Sequence, residues 1–240
     1  MDSDHDYEEG LCIRYAFDLP PHPTRDFVLH LRRDTLALIH SPRATYPDWA
    51  ALHYYQCPNC PLQTERFPRC PVAAGLVEVV EFFQDVWSFQ EIAVEIAVGP
   101  RSIQMRTAVQ NALSGLVGVY MVTSGCPVLD KLRPMVYSHL PFGSLEETMY
   151  RAVSMYSLAQ VLRYRRGLKP DWDLSGLAKI YDEVGVVNRS FHRRLPVTGT
   201  KEAGRNALIS LDCYAQYTSN RPFGNALDEL EGVFQAYLNE

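Results

Sequence analysis

Hydrophobic and polar residues alternate in short stretches near the start of the chain. Ile13, Tyr15 and Phe17 alternate with Arg14 and Asp18, and Phe27, Leu29 and Leu31 alternate with His30 and Arg32. Leu36 and Leu38 follow a turn at Arg33 and Asp34. A period of two sends successive side chains to opposite faces, so each stretch predicts a strand with one buried face. The pattern returns at Ile92, Val94, Ile96 and Val98, alternating with Glu91, Ala93, Glu95 and Ala97. Gly99 and Pro100 then turn the chain toward a pairing strand at Ile103 and Met105. The Pro-Pro-His-Pro run at 20–23 is a loop.

Elsewhere the period becomes helical. Pro71 suits the first position of a helix whose apolar face is Val72, Leu76, Val79, Val80 and Phe83. Thr107 is a candidate N-cap for a helix carrying Val109, Leu113, Leu116, Val117 and Tyr120, ended by Ser124 and Gly125. Cys126 and Pro127 open the next helix. Ser144 with Glu147 three residues on forms a capping box for a helix reaching Arg166, stopped by Gly167 and Pro170. Further helices are expected over 174–195, 201–218 and 224–237, with Asn188, Asn206 and Asp212 as polar groups that fix helix register. The expected fold is α+β, a small N-terminal antiparallel sheet packed on a predominantly α-helical C-terminal half. Residues 1–10 read as a disordered acidic lead. Residues 11–240 read as a single integrated domain, strand-rich over 11–106 with a Cys/Pro-rich loop at 41–71, and helical over 107–240.

Composition narrows the setting. The 240 residues are 47% hydrophobic and 21% charged, enough to bury a sizeable core without disulfide staples. A net charge of -5 offers no general attraction for nucleic acid or an anionic membrane. The longest apolar candidate for a membrane span, Ala108 to Val122, is interrupted by Gln110, Asn111, Ser114 and two glycines. The acidic N-terminus lacks the order of a secretion signal, so a cytoplasmic protein with reduced thiols is expected.

The chemistry lies in the cysteines. Four of the six are followed by proline: Cys57, Cys60, Cys70 and Cys126. Four thiolates suit a tetrahedral zinc or a cubane iron–sulfur cluster. The C-x2-C pair lets Cys57 and Cys60 converge, while Cys70 and Cys126 at helix N-termini gain from the positive end of the dipole. Proline after Cys60, where zinc knuckles carry glycine, and the two-plus-one-plus-one spacing favour a [4Fe-4S] cluster over zinc. The plain alternative is a redox-active Cys57–Cys60 pair with Cys70 and Cys126 as small core residues. Cys12 and Cys213 read as core residues, and His53 is a further candidate ligand.

Two other groups carry polar chemistry. His139 lies just ahead of Glu147, Tyr150 and Arg151, which together would form a polar site; the plainer reading is a capped helix start with a satisfied histidine. Arg163, Arg165 and Arg166, and then Arg189, Arg193 and Arg194, would bind phosphate or a nucleotide if both faced one side; otherwise they are solvated helix ends.

The chain resembles a bacterial domain family of unknown function. The resemblance rests on Cys-Pro-Asn-Cys-Pro-Leu at 57–62, Arg-Cys-Pro-Val-Ala at 69–73, Thr-Ser-Gly-Cys-Pro at 123–127 and His-Leu-Pro-Phe at 139–142. It continues through Glu-Glu-Thr at 146–148 and Val-Asn-x-x-Phe at 187–191. It implies that these segments share one architecture, and it brings no activity. The leading expectation is a cytoplasmic metal-binding module that responds to redox state or ligand and acts through a protein partner. Alternatives are a metalloenzyme with a small substrate near His139 and Glu147, and a phosphate- or nucleotide-binding module using the arginines.

Overall fold

A computed structural model describes residues 10–21, 23–40, 43–195, 203, 206, 211, 215, 228 and 230–239. The alternating segments form four strands: β1 (Gly10–Asp18), β2 (Arg25–Arg32), β3 (Glu91–Val98) and β4 (Arg101–Ala108). They make one antiparallel sheet in the order β2-β1-β3-β4. Tyr15 pairs with Phe27 on one side and Ile96 on the other, which keeps the buried positions of all three strands on one face. That face meets α1 (Pro71–Phe83): the Phe17 and Phe83 rings lie 5.0 Å apart, edge to face.

The helical half comprises α2 (Val109–Thr123), a 3-10 segment (Leu129–Ser138), α3 (Leu145–Arg165) and α4 (Ser175–Arg194). The fold is α+β, as the periodicity predicts. One hydrophobic cluster runs from Ile13 and Phe17 in the sheet through Leu76 and Leu116 to Met149, Leu177 and Phe191. The capping box forms: Glu147 N donates to Ser144 Oγ at 3.1 Å, and Ser144 N donates to Glu147 Oε2 at 2.6 Å. No helix among the described residues is long and apolar enough to cross a membrane.

Some boundaries differ for identifiable reasons. Leu38 pairs with Leu31 only as an isolated antiparallel bridge, with Arg32 N donating to Ala37 O and Ile39 N to His30 O, and Leu36 at φ 57° interrupts any longer strand. Thr107 remains in β4. The start of α2 needs no side-chain cap, since Val109 N and Gln110 N donate to Gln90 O and Ser88 O, both at 2.9 Å. After Cys126 the chain makes a turn and then a 3-10 segment; Pro134 lies inside it and has no amide to extend an α-helical ladder. Cys12 is half-buried beside Ile13 on the opposite face of β1 rather than in the core. Gly10 belongs to β1, and residues 1–9 of the acidic lead lie outside the described residues. Cys213 and Asp212 lie outside them too, as does most of the expected helices at 201–218 and 224–237; residues 203, 206, 211, 215, 228, 230 and 231 are helical.

Candidate metal centre

Each of the four cysteines sits at the end of a structured element. Cys57 and Cys60 flank a tight turn closed by Cys60 N donating to Cys57 O at 3.0 Å. The turn tip is tied down by Asn59, whose Nδ2 donates to Glu183 O of α4 at 3.0 Å. Cys70 is the N-cap of α1 with Pro71 behind it, and its own amide donates to Ala50 O at 2.9 Å. An Ala51–Arg69 bridge and a Leu52 N to Pro68 O bond close the base of the loop. Cys126 follows Gly125, whose φ of 89° turns the chain out of α2, and its amide donates to Ser124 Oγ at 3.2 Å.

These ends converge. Burial pushes the Cys57 thiol up to about 11; the Cys70 and Cys126 charges add to the rise, while a Ser190 hydrogen bond and the Arg194 charge pull down. Burial also raises Cys126, against hydrogen bonds from the backbone of Leu129 and Val128, and Cys70 and Cys60 raise it further. Cys57 thus lies within electrostatic reach of Cys70 and Cys126, and Cys126 within reach of Cys60 as well. None of the five described cysteines is in a disulfide. Among the described residues, no three His, Cys, Asp or Glu close to the distance that a single ion requires. His53 is exposed.

Arg194 stands behind this group. It is 1% exposed, and its guanidinium donates from Nη1 to Trp49 O (2.8 Å) and Ala51 O (2.6 Å), and from Nη2 to Leu52 O (3.2 Å). Its Nε is buried without a partner, and no carboxylate among the described residues pairs with it. A buried cation needs a counter-charge, and neutral thiols do not supply one. The expectation of Arg194 as a surface cation is thus corrected: the end of α4 packs under the cysteine loop, and the side chain clamps the carbonyls at 49–52. Sequence reasoning missed this role for Arg194 and Ser190, since an arginine near a helix C-terminus looks the same whether buried or solvated.

The other candidates separate. His139 and Arg151 face a common cavity, whereas Glu147 is engaged in its cap and Tyr150 is exposed. His139 Nε2 lies 2.6 Å from the hydroxyl of Tyr15, which is fully buried. Burial, then the charges of Arg151 and Arg101, lower the imidazole to about 4. Arg151 donates to Met135 O at 2.8 Å and to Ser138 Oγ at 3.3 Å. None of the four cysteines lines this cavity. Tyr156 bonds Asp171, and Gln160 accepts from Asp171 N, which ties the loop before α4 to α3. Arg163 is occupied with Lys169 O at 3.0 Å, while Arg165, Arg166, Arg189 and Arg193 are exposed.

A family model described as "Domain of unknown function (DUF6901)" matches residues 13–235. No curated protein and no solved structure matches the chain.

Proposed function

We propose, from the premise that this chain belongs to the DUF6901 family, that it is a metal-binding regulatory module. Cys57, Cys60, Cys70 and Cys126 would hold a [4Fe-4S] cluster whose loss changes the surface offered to a protein partner. The observation that carries the reading is a buried guanidinium, with an orphaned Nε and no carboxylate partner among the described residues, whose charge reaches Cys57 of a group of electrostatically linked thiols. A centre ligated by four thiolates is an anion and supplies the charge that Arg194 lacks. Backbone donors to Cys126 sulfur are the kind of contact that tunes such clusters.

Sequence spacing is what favours iron–sulfur over zinc. Four thiolates on one zinc would stand about 3.8 Å apart, given a Zn–S bond of roughly 2.3 Å. A cubane attaches each thiolate to a different iron, so the ligands share a field without closing on one point. The spread spacing of Cys57, Cys60, Cys70 and Cys126 along the chain suits such an arrangement. The regulatory reading is preferred to the metalloenzyme because none of Cys57, Cys60, Cys70 and Cys126 lines the cavity that holds His139. It is preferred to a nucleotide site because Arg163 and the buried Arg194 are already engaged with backbone carbonyls.

Metal and sulfide analysis of protein purified without oxygen tests the proposal. The expected result is about four irons with matching sulfide and broad visible absorption. Cys70→Ser should lower iron content and melting temperature together, while Cys12→Ser should spare the iron. About one zinc per chain would overturn the redox reading, and no bound metal would overturn the centre.

A further inference from the structure

A second feature of the fold is the cavity that holds His139 and Arg151. It is an open cleft of about 760 Å³ lined by α2, the 3-10 segment, the 139–143 loop, α3 and α4. Small-molecule sites span roughly 300–1,000 Å³ and combine apolar walls with a few convergent polar groups. Here Val119, Leu132, Val136, Val184 and Leu211 supply apolar wall.

The polar groups are short of partners. Asn188 is 3% exposed and lines the cavity, yet its amide has no hydrogen bond among the described residues. Ser114, 8% exposed, lines it with its hydroxyl equally unpartnered among them. The Tyr181 hydroxyl donates to Met135 Sδ at 3.7 Å, a weak acceptor. Polar atoms that open onto a cavity and bond no neighbouring side chain are places where a ligand's polar group can replace water.

Charge selects among ligands. Arg151 lines the cavity, while no aspartate or glutamate does among the described residues. The field at this end is positive enough that the charges of Arg151 and Arg101 help to keep His139 neutral. We infer that this cavity binds an apolar monocarboxylic acid, its carboxylate held at the Arg151 end and its hydrocarbon body among the aliphatic residues of α2 and α4. Asn188 and Ser114 donate to the carboxylate or to a polar atom on the body. The site is independent of the metal centre, because none of the four cysteines lines it.

Isothermal titration of the full chain with decanoate, 1-decanol and decyltrimethylammonium tests the inference. Decanoate should bind at a single saturable site and raise the melting temperature. Decanol should bind about tenfold more weakly or worse, since the charge-assisted bonds are lost. Arg151→Met should weaken decanoate by a similar factor. Because Arg151 also holds Met135 O, Asn188→Leu is the second variant. It removes an unpartnered buried amide at nearly constant volume, so it should fold at least as stably as the parent while losing decanoate affinity. Equal binding of decanol and decanoate, preference for the cation, unchanged decanoate affinity in a folded Asn188→Leu protein, or no saturable binding would each overturn it.

Discussion

Tyr15 and His139 show how one residue couples distant parts of the fold to pH. The phenol is pushed above its usual range by burial, and the imidazole is lowered from 6.5 to about 4. Both groups are therefore neutral near pH 7, and the consistent pairing is the phenol O–H donating to Nε2. Gly115 keeps the site open, since a Cβ there would stand 3.0 Å from the Tyr15 hydroxyl. A lowered histidine favours folding while it stays neutral. That stabilisation is complete above the unfolded value of 6.5 and is lost as pH falls through about 4. Between pH 7 and pH 5 the protein should lose about 2 kcal/mol from this group, measured by denaturant titration. His139→Gln should flatten that slope; an unchanged slope would remove His139 as its cause. Asp171, held below its usual range first by the Tyr156 hydrogen bond, titrates at lower pH and does not overlap this window. The histidine's place between helices is legible in the sequence. Its partner lies 124 residues earlier, and no local pattern announces it.

Helix α4 carries the elements' argument, because it borders both the cysteines and the cavity. Its start has no side-chain cap at Leu174, which sits at φ 60°. Asp171 replaces the cap: its Oδ2 accepts from Gly176 N and Tyr156 Oη, both at 2.7 Å, and its Oδ1 accepts from Ser175 Oγ at 3.2 Å. A Cβ on Gly176 would overlap the Tyr156 hydroxyl and lie 2.9 Å from Asp171 Oδ2. Gly176→Ala should therefore destabilise by about 1–3 kcal/mol, although alanine has the better helix propensity. Tyr156→Phe in the same chain should recover part of that loss, as a double-mutant cycle in denaturant would show. Additive effects would mean that the hydroxyl is not the obstruction. The limits of α4 were readable to within a residue, since the 3.6-residue period starts and stops between Pro170 and Leu195. The cap was not readable, because nothing in the spacing of Tyr156, Asp171 and Gly176 distinguishes a shared hydrogen bond from three unrelated residues.

At the scale of the molecule, the cysteine loop is held at its base by the 51–69 bridge, at its tip by Asn59 and from beneath by Arg194. A bound centre would add four covalent ties to these. Removing it with a chelator under mild oxidation should raise the rate of tryptic cleavage after exposed Arg66 by roughly tenfold, because ligation stabilises the closed loop by mass action. Equal cleavage with and without metal would separate the loop from the centre. The sequence by itself determined the alternation that makes the strands, the capping box at Ser144 and the concentration of Cys-Pro pairs. Each depends on residues within about four positions of one another, where backbone geometry alone decides which side chains share a face. Only the tertiary structure decided that Cys126 approaches the other three cysteines, and that Arg194 is buried beneath a loop more than 140 residues away. It also decided that Asn188 faces a cavity instead of a partner helix. Those outcomes turn on which apolar faces pack together, and the total burial that selects one packing over another is a property of the whole chain.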